Sequence, residues 1–132
     1  MTDARSSAAV AERLTQAIAA NDAEALADLY APDSVVWHNT DRVERKLEDV
    51  QALVRAIRDV ARCAVAVSAT MITERGFVQT QENSYTFRDG TSTRFHAALV
   101  VELDDNARIT RLEEYLDSAG LAPLIAALGA AL

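Results

Sequence analysis

Two residues in this chain stand where they could exchange a proton with a bound molecule. His38 ends the segment Ser-Val-Val-Trp-His, and Glu114 alternates with Leu112 and Leu116. An imidazole gains and loses a proton near neutral pH, and a carboxylate beside it can act as a base or orient it. Because Leu112, Glu114 and Leu116 share a strand face, we expect this carboxylate to point away from bulk water. The pattern leaves open an alternative, in which His38 is only hydrogen-bonded at a pocket rim and Glu114 is solvated.

Other residues with metal-binding or reactive side chains have simpler interpretations. A metal site would need His38, Glu82 and Glu114 together, and their spacing does not support one, so we predict no metal. His96 and Glu102 fall on the mixed face of their strand, which favours the surface or a subunit interface. The sequence shows neither a glycine-rich phosphate loop nor a dinucleotide fingerprint, so we expect no cofactor.

Composition argues against several classes of protein. The chain has 132 residues, of which 50% are hydrophobic, and a formal net charge of −7. No apolar run approaches the roughly 20 residues that a membrane helix needs, and no secretory signal is visible. The acidic balance argues against a nucleic-acid-binding surface. We therefore expect one cytoplasmic domain over residues 1–132, with residues 1–7 as a loose start.

Hydrophobic periodicity indicates how the chain positions these residues. Helical spacing occurs at residues 8–20, 21–31, 50–61 and 121–128. Asn21 and Glu24 resemble a capping box that opens the second helix, and Pro32 ends it. Strands are predicted at residues 34–38, 63–73, 77–88, 92–103 and 108–117. The order α-α-β-α-β-β-β-β-α defines an α+β domain whose curved antiparallel sheet carries helices on one side.

The strand predicted at residues 92–103 can be oriented from its own pattern. One face of the strand is apolar throughout and should contact the helices. It carries Phe95, Ala97, Leu99, Val101 and Leu103. The opposite face is mixed and carries Ala98 and Val100, which suits solvent or a partner subunit.

Three motifs in this order resemble one known superfamily. They are residues 20–26 (ANDAEAL), residues 29–38 (LYAPDSVVWH) and residues 107–117 (ARITRLEEYLD). The chain resembles the SnoaL-like group of the nuclear-transport-factor-2-like superfamily over residues 8–128. That group is similar to polyketide cyclases, ketosteroid isomerases and limonene-epoxide hydrolases.

The resemblance implies a cone-shaped pocket between sheet and helices, with its chemistry at two positions. The first is His38, where ketosteroid isomerases carry a carboxylate base and epoxide hydrolases an asparagine that helps to hold the attacking water. The second is Glu114, where an epoxide hydrolase has its water-activating aspartate. The residues then expected to contact substrate are Leu14, Ile18, Tyr30, Asn39, Glu82, Leu99, Val101, Leu112 and Leu116.

The chain also departs from these relatives. Ketosteroid isomerases place oxyanion donors where this chain has Leu14 and Leu99, and the arginine and aspartate of epoxide hydrolases are best matched by Glu82 and Ser84. Both activities are therefore disfavoured. We predict a cofactor-free isomerase, cyclase, dehydratase or hydrolase that acts on a hydrophobic small molecule, and a homodimer formed through the outer sheet face. The alternative is a non-catalytic ligand-binding or dimerisation module on the same fold.

Overall fold

The computed structural model describes residues 2–129 and confirms the α+β class. Its elements in chain order are α1 (Ala4–Ala19), a 3₁₀ turn (Ala25–Asp28), β1 (Tyr30–His38), β2 (Glu44–Arg45), α2 (Leu47–Val60), β3 (Ala61–Ile72), β4 (Gly76–Phe87), β5 (Ser92–Leu103), β6 (Ile109–Leu116) and α3 (Ser118–Ala127). Within residues 2–129, no helix combines the length and the apolar character that a membrane span needs.

The sheet is mixed, which corrects the expectation of a purely antiparallel one. Within the described part of the chain, six strands follow the order β2-β1-β6-β5-β4-β3. β1 pairs with β6 in parallel, whereas the other neighbours are antiparallel. Strands β3 to β6 follow one another through short loops, while β1 returns from the start of the chain to the free side of β6. The parallel register sets His38 directly opposite Glu114.

The prediction of a second helix over residues 21–31 is wrong, because the chain forms only a 3₁₀ turn there. Asn21 has a positive φ of 51° and does not cap a helix; instead Asp22 accepts a hydrogen bond from the Ala25 amide at 3.1 Å. Tyr30 already pairs with β6, so too few residues remain before it for a helix. Pro32 lies where the β1–β6 register shifts, and its missing N–H therefore removes no regular ladder bond.

The first helix begins at Ala4, within residues 1–7, which we expected to form a loose start. Asp3 caps it by accepting a hydrogen bond from the Ser6 amide at 2.8 Å, and Ser7 is buried. At the other end of the chain, Asp117 caps α3 by accepting from the Ala119 amide at 2.9 Å.

The core lies between the inner sheet face and the helices. The predicted inner face of β5 is confirmed, because Phe95, Ala97, Leu99 and Val101 are all buried. Facing it are the apolar stripes of the two long helices, formed by Val10, Leu14 and Ala17 of α1 and by Val50, Val54 and Ile57 of α2. The packing does not fill this layer completely, and a cavity remains within it.

Candidate active site

A cavity of about 130 Å³ lies between the helices and the inner sheet face. Its wall is largely apolar and includes Leu14 and Ile18 of α1 and Leu121 and Leu124 of α3. A cavity of about 150 Å³ elsewhere accommodates benzene, so this space suits a molecule on the order of one ring. The polar and ionisable side chains that reach it therefore meet a small and poorly solvated volume.

His38 and Glu114 contact each other at the wall of this cavity. His38 Nε2 lies 3.1 Å from Glu114 Oε1, and each side chain is 17% exposed. The contact follows from the parallel register of β1 and β6, which places the two residues side by side. Leu112 and Leu116 line the same cavity, as the alternation of β6 predicts.

Arg45 lies on the other side of the His38 ring and was not predicted. Its Nη1 is 3.3 Å from His38 Nδ1, and both carboxylate oxygens of Asp41 hold its guanidinium. A guanidinium can only donate hydrogen bonds, so Nδ1 must accept and the ring proton must sit on Nε2. We therefore assign His38 the neutral tautomer whose Nε2–H donates to Glu114.

The Arg45 position itself depends on two local interactions. β2 pairs Arg45 with Val36 of β1, and the side chain is only 15% exposed. Hydrogen bonds from Arg45 hold the pKa of Asp41 below its ordinary value. Asp41 thus stays ionised and keeps the guanidinium against the histidine ring.

Two tyrosines face the same cavity, and both remain neutral over the ordinary pH range. Burial raises the pKa of Tyr30 and of Tyr85 well above that of a free phenol, and the negative charge of Glu114 raises both further. Both hydroxyl groups therefore keep their protons, and the Tyr85 hydroxyl is hydrogen-bonded to the Cys63 thiol.

The structure brings most of the predicted contact residues to the cavity. Those that line it, besides His38 and Glu114, are Leu14, Ile18, Tyr30, Leu99, Leu112 and Leu116. Val101 does not line it, because its side chain is packed in the core at 1% exposure. Asn39 does not line it either: its side chain accepts from the Leu116 amide at 2.9 Å and donates to the Leu116 carbonyl, which fastens the end of β1 to β6.

The predicted position of Glu82 on the pocket face is wrong. Glu82 lies on the outer face of β4, where its carboxylate is 3.6 Å from His96. The even positions of β4 point outward, and its odd positions alternate with them toward the helices. Glu82 consequently cannot join His38 and Glu114 around a metal ion.

A buried row of polar side chains occupies the inner face of β4 instead. Gln79, Gln81 and Asn83 are 2–4% exposed and bonded to one another, and Gln81 and Asn83 line the cavity. Sequence reasoning missed this row because β4 carries polar residues at both its odd and its even positions. Phe77 and Tyr85 occupy odd positions near the two ends of β4. These two aromatic residues are the signal from which the inward direction of the odd positions could have been predicted.

Over residues 2–129, a curved mixed sheet with three helices, in the order α-β-α-β-β-β-β-α if the two-residue β2 is left out, matches the nuclear-transport-factor-2-like fold. The family model described as a SnoaL-like domain matches residues 11–112. The chain therefore belongs to the SnoaL-like family. The search of curated proteins found no matching sequence.

Several solved structures share this fold. PrhC from Penicillium brasilianum has a TM-score of 0.83 at 12% identity, with 96% of this chain and 89% of that chain covered. An LEH-like epoxide hydrolase from M. tuberculosis has a TM-score of 0.77 at 16% identity, with 97% and 94% covered. A Delta 5-3-ketosteroid isomerase from Mycobacterium sp. has a TM-score of 0.75 at 20% identity, with 87% and 95% covered. Identities this low establish the fold alone.

Tyrosine ionisation tests the burial of the cavity phenols. Tyr30 and Tyr85 have a higher pKa in the folded protein than in the unfolded chain. Their contribution to the free energy of unfolding is therefore complete below about pH 10, the pKa of an unfolded tyrosine. It is lost as the pH rises through the folded pKa. We expect phenolate absorbance from these two residues to appear only together with alkaline unfolding, after surface Tyr115 has titrated. A spectrophotometric titration of Tyr30→Phe, Tyr85→Phe and the parent protein checks this. Phenolate from either residue near pH 10 in the folded protein would contradict it.

Proposed function

We propose that the protein is a small-molecule enzyme that moves a proton within this cavity, with Glu114 as the base. The observation that carries the proposal is the 3.1 Å contact between His38 Nε2 and Glu114 Oε1 at the wall of an apolar cavity. A carboxylate held in a poorly solvated space beside a donor is suited to take a proton from a carbon or a water. An isomerase, cyclase, dehydratase or hydrolase reaction begins with such a step.

In this proposal, His38 positions and supports the base. Its Nε2–H donates to one oxygen of Glu114, which leaves the other oxygen free to accept a proton from substrate. Arg45 holds the ring from behind at Nδ1, so the imidazole cannot turn or take the other tautomer without losing a hydrogen bond. Once Glu114 has taken a proton, the same Nε2–H can stabilise negative charge that develops nearby.

The cavity also limits the substrate. Its volume of about 130 Å³ and its leucine-rich wall favour a compact apolar molecule. The carboxylate of Glu114 disfavours an anion beside it. We therefore propose a neutral substrate of roughly one ring, and a larger substrate would need the helices to move apart.

Replacing the proposed base tests this function directly. We expect the protein to accelerate deuterium uptake at the carbon beside the carbonyl of a small cyclic ketone, and Glu114→Gln to lower that rate by about 10²- to 10⁴-fold. NMR in D₂O follows the exchange across a panel of five- and six-membered ketones. Glu113→Gln is the matched control, because Glu113 neighbours Glu114 but bonds Arg111 and Tyr115 on the outer face.

His38→Ala should also slow the exchange, by a smaller factor, because it removes the support and leaves the base. If the parent and Glu114→Gln bind the ketones equally and neither exchanges protons faster than buffer, the catalytic proposal fails. The chain would then act as a ligand-binding module on the same fold.

We further propose that two copies of the chain pair through the outer sheet face. Val100 and Tyr115 are large apolar side chains that are exposed there, and Trp37 packs edge-on against the Tyr115 ring at 5.5 Å. Ala98 lies beside them with a small side chain that allows close approach. A second copy of the same face would cover these apolar side chains in a symmetric pair.

The oligomeric state in solution tests the paired face. We expect a dimer mass by sedimentation at micromolar concentration, and a monomer for Val100→Glu, because a buried carboxylate would find no partner. Val43→Glu is the control, since Val43 is also exposed but lies in the loop before β2, outside the strands β5 and β6 that carry Val100 and Tyr115. A monomeric parent protein, or a dimer that tolerates Val100→Glu, would refute the proposed interface.

A further inference from the structure

The polar row on β4 has no part in the proton transfer proposed above. We infer that it makes the β4 side of the cavity a binding subsite for a neutral hydrogen-bond acceptor, such as the carbonyl oxygen of a small cyclic ketone, with the side-chain N–H of Asn83 as the donor. The inference rests on the proposed function only in taking this cavity as the place where substrate binds.

The row is a continuous chain of side-chain hydrogen bonds. Thr70 Oγ1 donates to Gln79 Oε1 at 2.9 Å, and Gln79 Nε2 donates to Gln81 Oε1 at 2.9 Å. Gln81 Nε2 then donates to Asn83 Oδ1 at 2.7 Å. Every carboxamide oxygen in the row thereby accepts one hydrogen bond, and the donors point along β4 toward Asn83.

Thr15 of α1 sets this direction. Its hydroxyl donates to the Ala11 carbonyl at 3.0 Å, so its single proton is used. The Thr15 oxygen can then only accept, and it accepts from Gln79 Nε2 at 2.8 Å. The Gln79 nitrogen must consequently face both Thr15 and Gln81. Each following amide then accepts through its oxygen from the residue before it and directs its nitrogen onward.

Asn83 is the end of the row, and its amide nitrogen is the last donor in it. Its side chain is 3% exposed and lines the cavity, while its oxygen already accepts from Gln81. One N–H of the Asn83 amide donates to the Tyr85 hydroxyl, and the second N–H is left for a ligand. A buried N–H without a partner is unfavourable, so a ligand acceptor here would gain an already oriented hydrogen bond.

The charge of the surroundings selects a neutral acceptor. Among the described residues that line the cavity there is neither lysine nor arginine, and Glu114 contributes a negative charge. A carboxylate or phosphate would therefore be repelled without compensation. Asn83 and Glu114 lie on β4 and β6, the two strands that flank β5, so the subsite and the carboxylate occupy different parts of the cavity wall.

The experiment compares two ligands of nearly equal shape. Cyclopentanone has a carbonyl oxygen where methylenecyclopentane has a CH₂ group, and both approach benzene in size. We expect the parent protein to bind the ketone about three- to tenfold more tightly, as one hydrogen bond allows. NMR titration with ¹⁵N-labelled protein gives both dissociation constants, and the side-chain NH₂ signal of Asn83 should shift with the ketone alone.

Two variants separate a directed donor from mere packing. Asn83→Leu should abolish the ketone preference by removing the donor. Thr15→Val, which alters no residue of the cavity wall, should weaken the preference by releasing the row to reverse, and Thr15→Ser should restore it. Glu114→Gln should keep the preference, so a failure of the proposed base and a failure of this subsite give different results.

The inference is overturned if the parent protein binds both ligands equally or binds neither. It is also overturned if the preference survives in both Asn83→Leu and Thr15→Val. Pyrrole, which has an N–H donor and no carbonyl, serves as the opposite probe. Because Glu114 is a second acceptor in the cavity, pyrrole is titrated against both the parent protein and Asn83→Leu. A preference for pyrrole that Asn83→Leu abolishes would mean that Asn83 presents its oxygen, and would contradict the assigned direction.

Discussion

The parallel pairing of β1 with β6 is the constraint on which the candidate site depends. It joins a strand from the first third of the chain to one near its end, and it sets His38 opposite Glu114 in register. Asn39 fastens the end of this pairing through two hydrogen bonds to the Leu116 backbone. A slip of one residue would turn either side chain to the outer face and separate the pair. The proposed chemistry is thus a consequence of sheet topology, and neither residue would suffice alone.

Sequence patterns predicted the parts of the site whose strands have one clearly apolar face. β6 places Glu114 between two leucines, and its inward orientation is confirmed. β4 is polar on both faces, so alternation gave no direction, and Glu82 was expected where Asn83 lies. The approach of Arg45 to His38 depends on a strand of two residues, which has no recognisable pattern. The prediction of a second helix is wrong because pairing with β6 extends β1 back to Tyr30. Local sequence propensity contains no information about such a non-local contact.

The cavity combines one ionised group with several neutral donors in a mostly apolar wall. The Glu114 charge and burial together keep both cavity tyrosines protonated. The buried carboxamide oxygens accept hydrogen bonds from Thr70 or from one another, and the cavity wall also carries the Glu114 carboxylate. Such a division suits a neutral molecule with an acceptor at one end and a removable proton at the other.

The proton on the His38 ring is the central claim, because it decides which residue can act as the base. Arg45 at Nδ1 and Glu114 at Nε2 together require the neutral Nε2–H tautomer. ¹⁵N NMR of the imidazole at neutral pH distinguishes a protonated ring nitrogen from an unprotonated one. The structure predicts one directly bonded proton, on Nε2, and an Nδ1 without one. A proton on Nδ1, alone or together with one on Nε2, would contradict the assignment and remove His38 as the fixed donor to Glu114.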